Sequence, residues 1–308
     1  MLRQATNKVL IEGILSEVKI NYGSYVKDGK TVENIGGTIN VRVNQRINGE
    51  DVVCEIPVRL YSQKYTRAGA PNPAYESIQK VMDTYTSIAA AGSEEGADKV
   101  RLTASIRMNE FYGQDGALHS YKQIQASFVN RATGEFKPRA DFELEFALSD
   151  MKYATDKDGV EQDGSDGNAP RFEIKAAVPQ YGGVLDYVPL VATNPKVIDH
   201  IKTYWEKGKT YRANGTLLFK SETHIVTKEV DFGEPIEETR TFSTHDILVR
   251  GGAQDPLQGD FAFAPEELKK AASERENRLN DLKTKNISKK TPAPVRKDEQ
   301  SAGEDLGF

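Results

Sequence analysis

PAYESIQKVMDTYTSIAAAG, residues 73–92, places Ile78, Val81, Met82, Tyr85 and Ile88 at helical spacing and ends at a glycine, so it reads as one helix against a core. Its neighbours read as strands. Upstream lie KVLIEGILSEVKI (8–20), GTINVRVNQRI (37–47) and DVVCEIPVRLY (51–61); downstream lie KVRLTASIRMNEFY (99–112) and YKQIQASFVN (121–130). In the second of these, Ile39, Val41 and Val43 alternate with Asn40, Arg42 and Asn44. In the fourth, Val100, Leu102, Ala104, Ile106 and Met108 alternate with Arg101, Thr103, Ser105, Arg107 and Asn109, the period of a half-buried strand. The order is three strands, a helix, then two strands.

That order recurs. FELEFALSDMKY (142–153), RFEIKAAVPQY (171–181) and GVLDYVPLVA (183–192) stand as three strands before the helix KVIDHIKTYWEKG (196–208), and KTYRANGTLLFKSE (209–222) and TRTFSTHDILVRG (239–251) complete the set. The Asp/Gly-rich DKDGVEQDGSDGN (156–168) and the acidic TKEVDFGEPIEET (227–239) read as insertions. Five strands with a helix between the third and fourth is the order of the OB-fold, a small Greek-key barrel that binds oligonucleotides or oligosaccharides. The expected fold is therefore mainly β: two tandem OB-fold-like Greek-key barrels, over 1–138 and 139–263. Residues 264–308 read as a charged helix and a disordered C-terminal tail, because they hold too little apolar surface to fold alone.

Of the 308 residues 38% are hydrophobic and 28% charged, with a mean hydropathy of −0.58. No apolar run approaches the roughly 18–20 residues of a membrane span, and the N-terminus lacks a signal-peptide pattern, so a cytoplasmic chain without membrane association is expected. Cys54 is the single cysteine, and alternation points it inward as an inert small hydrophobe. With His119, His200, His224 and His245 it makes no zinc spacing, and the acids of 156–168 do not fall at EF-hand positions, so no metal or cofactor is expected. Phosphate-loop, dinucleotide-binding, nucleophile-elbow and zincin motifs are all missing from the sequence, which argues against an enzyme. The formal net charge of −5 divides into +2 for 1–138, −8 for 139–263 and +1 for 264–308. If either barrel meets a polyanion, the first is the better placed.

Two modules of this order, a tail and the terminal EDLGF resemble bacterial and bacteriophage single-stranded-DNA-binding proteins, whose acidic tails end in a short hydrophobic tip with Phe last. Glu304, Asp305, Leu306 and Phe308 match that ending, while Gly307 stands where the usual tip has Pro. The resemblance implies binding and protection of single-stranded DNA in replication or recombination. It also implies recruitment of replication or recombination proteins through the tip, and a homo-oligomer is compatible with it.

The residues of the first module supply what such binding needs. Alternation puts Arg42 and Arg46 on the polar face of strand two, and Arg59 and Tyr61 on that of strand three; strand five adds Tyr121. Tyr22, Tyr25 and Lys27 fall in the expected loop between strands one and two. Phe111 and Tyr112 begin the loop between strands four and five, and Lys64 and Arg67, with Tyr65 between them, follow strand three. Single strands are held by basic grooves and by aromatic faces on which bases stack. The aromatic residues Tyr181, Tyr187, Tyr204, Trp205, Phe219 and Phe242 of the second module are expected in its core. The competing reading is a structural or adaptor protein, for example of a virion, that uses its β-modules for protein contacts.

Overall fold

The computed structural model describes residues 2–228 and 236–290. Among them, eleven strands form one continuous sheet that closes on itself twice. β1 (Asn7–Lys27), β2 (Lys30–Ile47), β3 (Glu50–Gln63), β4 (Lys99–Tyr112) and β5 (Leu118–Ala126) close the first barrel in the order β1-β2-β3-β5-β4, with β4 returning to β1. The two residues of β6 (Asn130–Arg131) extend the edge of β4. β7 (Arg139–Tyr153), β8 (Phe172–Pro179), β9 (Leu185–Ala192), β10 (Thr210–Lys228) and β11 (Ile236–Gly252) repeat the order, and β10 returns to β7. In each barrel the third and fifth strands run parallel and the rest antiparallel. This is the topology of two OB-folds.

Each barrel carries a helix between its third and fourth strands: α1 (Pro73–Thr84) in the first, followed by the single turn α2 (Ile88–Ala91), and α3 (Pro195–Tyr204) in the second. Both longer helices start the same way. Asn72 and Asn194 accept the N–H of Ala74 (3.1 Å) and of Lys196 (3.0 Å), and a proline follows each at the first helical position, where its missing N–H costs nothing. Ile78 and Val81 of α1, and Ile198 and Ile201 of α3, are buried in the two cores. The single helix expected over 73–92 is broken at 85–87. There the Thr86 N–H donates to the Asp98 carboxylate (2.8 Å), and the Asp98 N–H returns to the Thr86 carbonyl (2.8 Å), which holds the chain extended.

The hairpins are longer than alternation suggests. β1 and β2 pair as far as Lys27 and Lys30 across Asp28-Gly29, whose φ angles of 51° and 72° suit the tight two-residue turn that matches strand twist. Tyr22, Tyr25 and Lys27 therefore stand on a strand rather than in a loop, and so do Phe111 and Tyr112 at the end of β4. A fully exposed ladder needs no hydrophobic alternation, and so leaves no period-2 signal. Where β1 and β2 coil together, a Cβ at Gly37 would lie 1.9 Å from the Lys19 carbonyl oxygen, so only glycine permits that approach.

The barrels are joined strand one to strand one by a pseudo-two-fold ladder, in which Asn7 pairs with Leu144 and Ile11 with Ala140. Both first strands bulge at a serine, between Leu15 and Glu17 and between Leu148 and Asp150. Both hold a buried glutamate paired in register with an arginine of the fourth strand. Glu12 receives Arg101 at 2.7 and 3.1 Å, and Glu145 receives Arg212 at 2.7 Å. Two glutamines complete the symmetry: Gln45 donates to the Leu217 carbonyl (2.7 Å) and Gln180 to that of Ile106 (3.2 Å). Arg3 bridges to Glu145 at 2.8 Å, so the N-terminal segment packs on the second barrel.

Cys54 is buried, as alternation indicates. Trp205 is also buried, stacked 4.9 Å from Tyr211, and Phe219 lies inside; Tyr187 is half-buried. Tyr181, Tyr204 and Phe242 are exposed, contrary to expectation. Tyr181 sits in the turn after β8, Tyr204 closes α3 on its outer side, and Phe242 lies on the hairpin beyond the barrel wall. In the 156–168 segment the acids cap their own turns: Asp156 accepts the N–H groups of Asp158 and Val160 at 2.9 Å. The expected acidic insertion over 227–239 partly extends the β10–β11 hairpin, in which Thr227 pairs with Glu237. α4 (Pro265–Lys290) buries Ala271 and Leu279, and its Arg275 bonds Glu110 and lies 4.9 Å over the Tyr187 ring.

Candidate nucleic-acid interface

The outer face of β2 and β3 is set by register. Thr38 lies opposite Arg59, Gly36 opposite Tyr61, Arg42 opposite Glu55 and Arg46 opposite Asp51. Cross-strand partners point to one side of the sheet, so Arg42, Arg46, Arg59 and Tyr61 share a face. They are not equally available. Arg42 is spent on two carboxylates, Glu55 at 2.6 Å and Glu94 at 2.8 Å, and both raise its pKa. Arg46 donates to the Gly49 carbonyl (2.9 Å) at the turn between β2 and β3. Arg59 is half-buried at the middle of the face.

Near one end of this face the β1–β2 hairpin, the end of β3 and α1 carry five tyrosines on the two sides of the sheet. Tyr25 and Tyr61 lie on the outer face, whereas Tyr22 pairs with the buried Ile35 and so lies on the other side with Tyr75 of α1, and Tyr65 follows β3. Tyr22 is 54% exposed, with its ring 6.4 Å from that of Tyr75 on α1. Tyr25 accepts the side-chain amide of Gln63 at 2.6 Å. Burial and then the adjoining Tyr25 push the Tyr61 phenol up, and burial does the same to Tyr75. Tyr65 is exposed, with the Lys64 ammonium 5.8 Å from its ring centroid, while Lys64 also bonds Glu33 at 2.8 Å. Lys27 at the hairpin tip and Arg67 in the turn after β3 are exposed.

The β4–β5 hairpin holds a second aromatic group. Phe111 lies 5.5 Å from His119 and 5.9 Å from Tyr121, and the planes of His119 and Tyr121 differ by 6°. Phe111 and Tyr121 are exposed. Tyr112 does not join them: it pairs with Leu118 on the opposite side of the hairpin, which faces the second barrel. Arg59 on β3 is paired with Gln125 on β5, with Tyr61 two residues beyond the first and Tyr121 four before the second. The two aromatic groups are thus about 20 Å apart along the strands, one at each end of the face. Exposed rings at both ends of a sheet with cations between them can stack bases and pair phosphates.

Sequence reading missed Tyr75 and His119. Tyr75 shares a helical period with residues that pack inward, so nothing local marks it; His119 alternates with Tyr121, a signal that was present. The corresponding face of the second barrel is one wall of a groove rather than a free surface. Lys175, Tyr187 and Pro189 of β8 and β9 line one side of a solvent-open groove of about 530 Å³ whose other side is made by Met108, Glu110 and Leu118 of the β4–β5 hairpin and by Arg275. Among the described residues no group of three His, Cys, Asp or Glu side chains could hold a metal ion, and no helix is long and apolar enough to cross a membrane. Glu304, Asp305, Leu306 and Phe308 lie outside the described residues.

Comparison of folds finds the wild-type single-stranded DNA binding protein from Thermus aquaticus, 12% identical, with a TM-score of 0.51 over 83% of this chain and 96% of that one. A deletion mutant of the Thermus protein, also 12% identical, matches with a TM-score of 0.47 over 83% of this chain and 97% of that one. At this identity the likeness shows a shared fold. No curated protein matches the sequence. The sequence matches the YorF family over residues 5–285, nearly the whole of the double barrel and α4, and the chain belongs to the YorF family.

Proposed function

We propose that this protein is a non-catalytic single-stranded-DNA-binding protein that coats and protects DNA in replication or recombination. The supporting observation is the pair of exposed aromatic groups, Tyr25/Tyr61 and Phe111/Tyr121, at the two ends of one OB-fold sheet face with Arg59 between them. Bases stack on the rings while Arg59, Lys27 and Arg67 neutralise phosphates, so binding carries little sequence preference. The shared fold with a protein named for binding single-stranded DNA supports the same reading. Partner proteins dock on the C-terminal tip, where Leu306 and Phe308 are apolar anchors beside Glu304 and Asp305.

The test is a titration of labelled oligo-dT at several salt concentrations. Saturable binding with a log–log salt slope of about −0.7 per phosphate contact is expected for a single strand. A chain that uses its barrels only for protein contacts shows no saturable binding.

A further inference from the structure

The hairpin of β4 and β5 carries an imidazole as one of the three rings of its aromatic group. His119 packs beside Phe111 at 5.5 Å and Tyr121 at 6.1 Å, which are themselves 5.9 Å apart and present exposed faces. Its two nitrogens are not locked into a buried network. Nε2 lies 3.3 Å from Asp115 in the turn of the same hairpin, and Nδ1 lies 3.4 Å from the Tyr121 hydroxyl. The turn is shaped around the ring: a Cβ at Gly113 would come within 2.5 Å of Nε2. Asp115 is held below the usual carboxylate range by the Ala117 N–H and then by His119, so it stays ionised beside the imidazole at neutral pH.

Imidazole is the side chain whose charge changes between about pH 5 and pH 8. A ring that stacks a base when neutral gains a phosphate contact when protonated. On the reading given under Proposed function, we infer that His119 is a DNA-binding residue, and that its protonation couples single-stranded-DNA affinity to pH. The groups facing the ring are Phe111, Tyr121 and Asp115. The phosphate adds its attraction for an imidazolium only in the complex. Binding therefore raises the affinity of the ring for a proton. By linkage, affinity for DNA rises as pH falls, by no more than ten-fold per pH unit for one proton taken up.

The experiment measures oligo-dT affinity and salt slope at pH 8 and pH 6 for the wild type, His119→Phe and His119→Lys. Circular dichroism confirms the native fold at both pH values. For the wild type, affinity at pH 6 is expected to exceed that at pH 8 by roughly three- to ten-fold more than for His119→Phe. Its salt slope should steepen by about 0.7, the increment for one further phosphate. His119→Lys carries a fixed charge, so it should show the steeper slope at both pH values. An equal pH gain in the wild type and His119→Phe overturns the inference while leaving the proposed function standing. Absence of oligo-dT binding by the wild type at either pH removes both.

Discussion

Glu145 offers a direct test of how the two barrels are held together. Its carboxylate is almost fully buried, and burial alone would push its pKa up. Hydrogen bonds from Arg3 (2.8 Å), the Thr6 N–H (3.0 Å) and Arg212 (2.7 Å) outweigh that cost and bring it down to about 2 from an ordinary 4.5. A folded-state pKa below the unfolded value contributes stability above pH 4.5, and that contribution is lost as pH falls toward 2. At 1.36 kcal/mol per unit, the drop amounts to about 3 kcal/mol at pH 7, of which about 1.5 kcal/mol remains at pH 3. Glu145→Gln keeps the shape and removes the charge. Trp205 is the single tryptophan and is buried in the second barrel, so its fluorescence follows urea unfolding of the part that contains Glu145. The variant should be about 3 kcal/mol less stable than the wild type at pH 7, and the gap should close to about half at pH 3. A gap that is the same at both pH values would refute the argument, because the loss would then come from packing and not from the ionised carboxylate.

Tyr25→Ala, Tyr61→Ala, Phe111→Ala and Tyr121→Ala should each cost about 1–3 kcal/mol in oligo-dT binding by fluorescence titration, with circular dichroism unchanged. Tyr112→Ala, on the other side of its hairpin, should cost far less, and an equal loss would mean that the DNA takes another path. Arg59→Ala should flatten the salt slope by about 0.7. Arg42→Ala should leave the slope nearly unchanged and lower stability by up to about 1 kcal/mol, since Glu55 and Glu94 already engage this half-exposed guanidinium; a slope loss equal to that of Arg59→Ala would show that it reaches phosphate. Removal of residues 301–308 should leave oligo-dT affinity equal or slightly higher yet abolish capture of replication or recombination proteins. Capture that survives the truncation would place the recruiting surface elsewhere.

Local sequence determined which residues face inward. The alternation over 37–47 and 99–112, and the helical spacing from Ile78 to Met82, correspond to one-sided burial of β2, β4 and α1, so element order and the OB-fold were legible. The duplication was legible too, in signals that element order alone left unread. Glu12, Leu15, Ser16 and Lys19 recur as Glu145, Leu148, Ser149 and Lys152, and each barrel opens its helix with Asn-Pro. On the candidate site, Arg59, Tyr61 and Tyr121 were legible because their strands alternate. Tertiary structure decided the rest. That Glu94 joins Arg42 across 52 residues and that Tyr75 meets Tyr22 depend on where whole elements pack. Alternation records whether a side chain is wet or dry, whereas a long-range partner is chosen by the closure of the barrel. The groove over β8 and β9 has the same origin: their residues are ordinary for an open strand, and only the docking of the β4–β5 hairpin and α4 makes that face one wall of a groove.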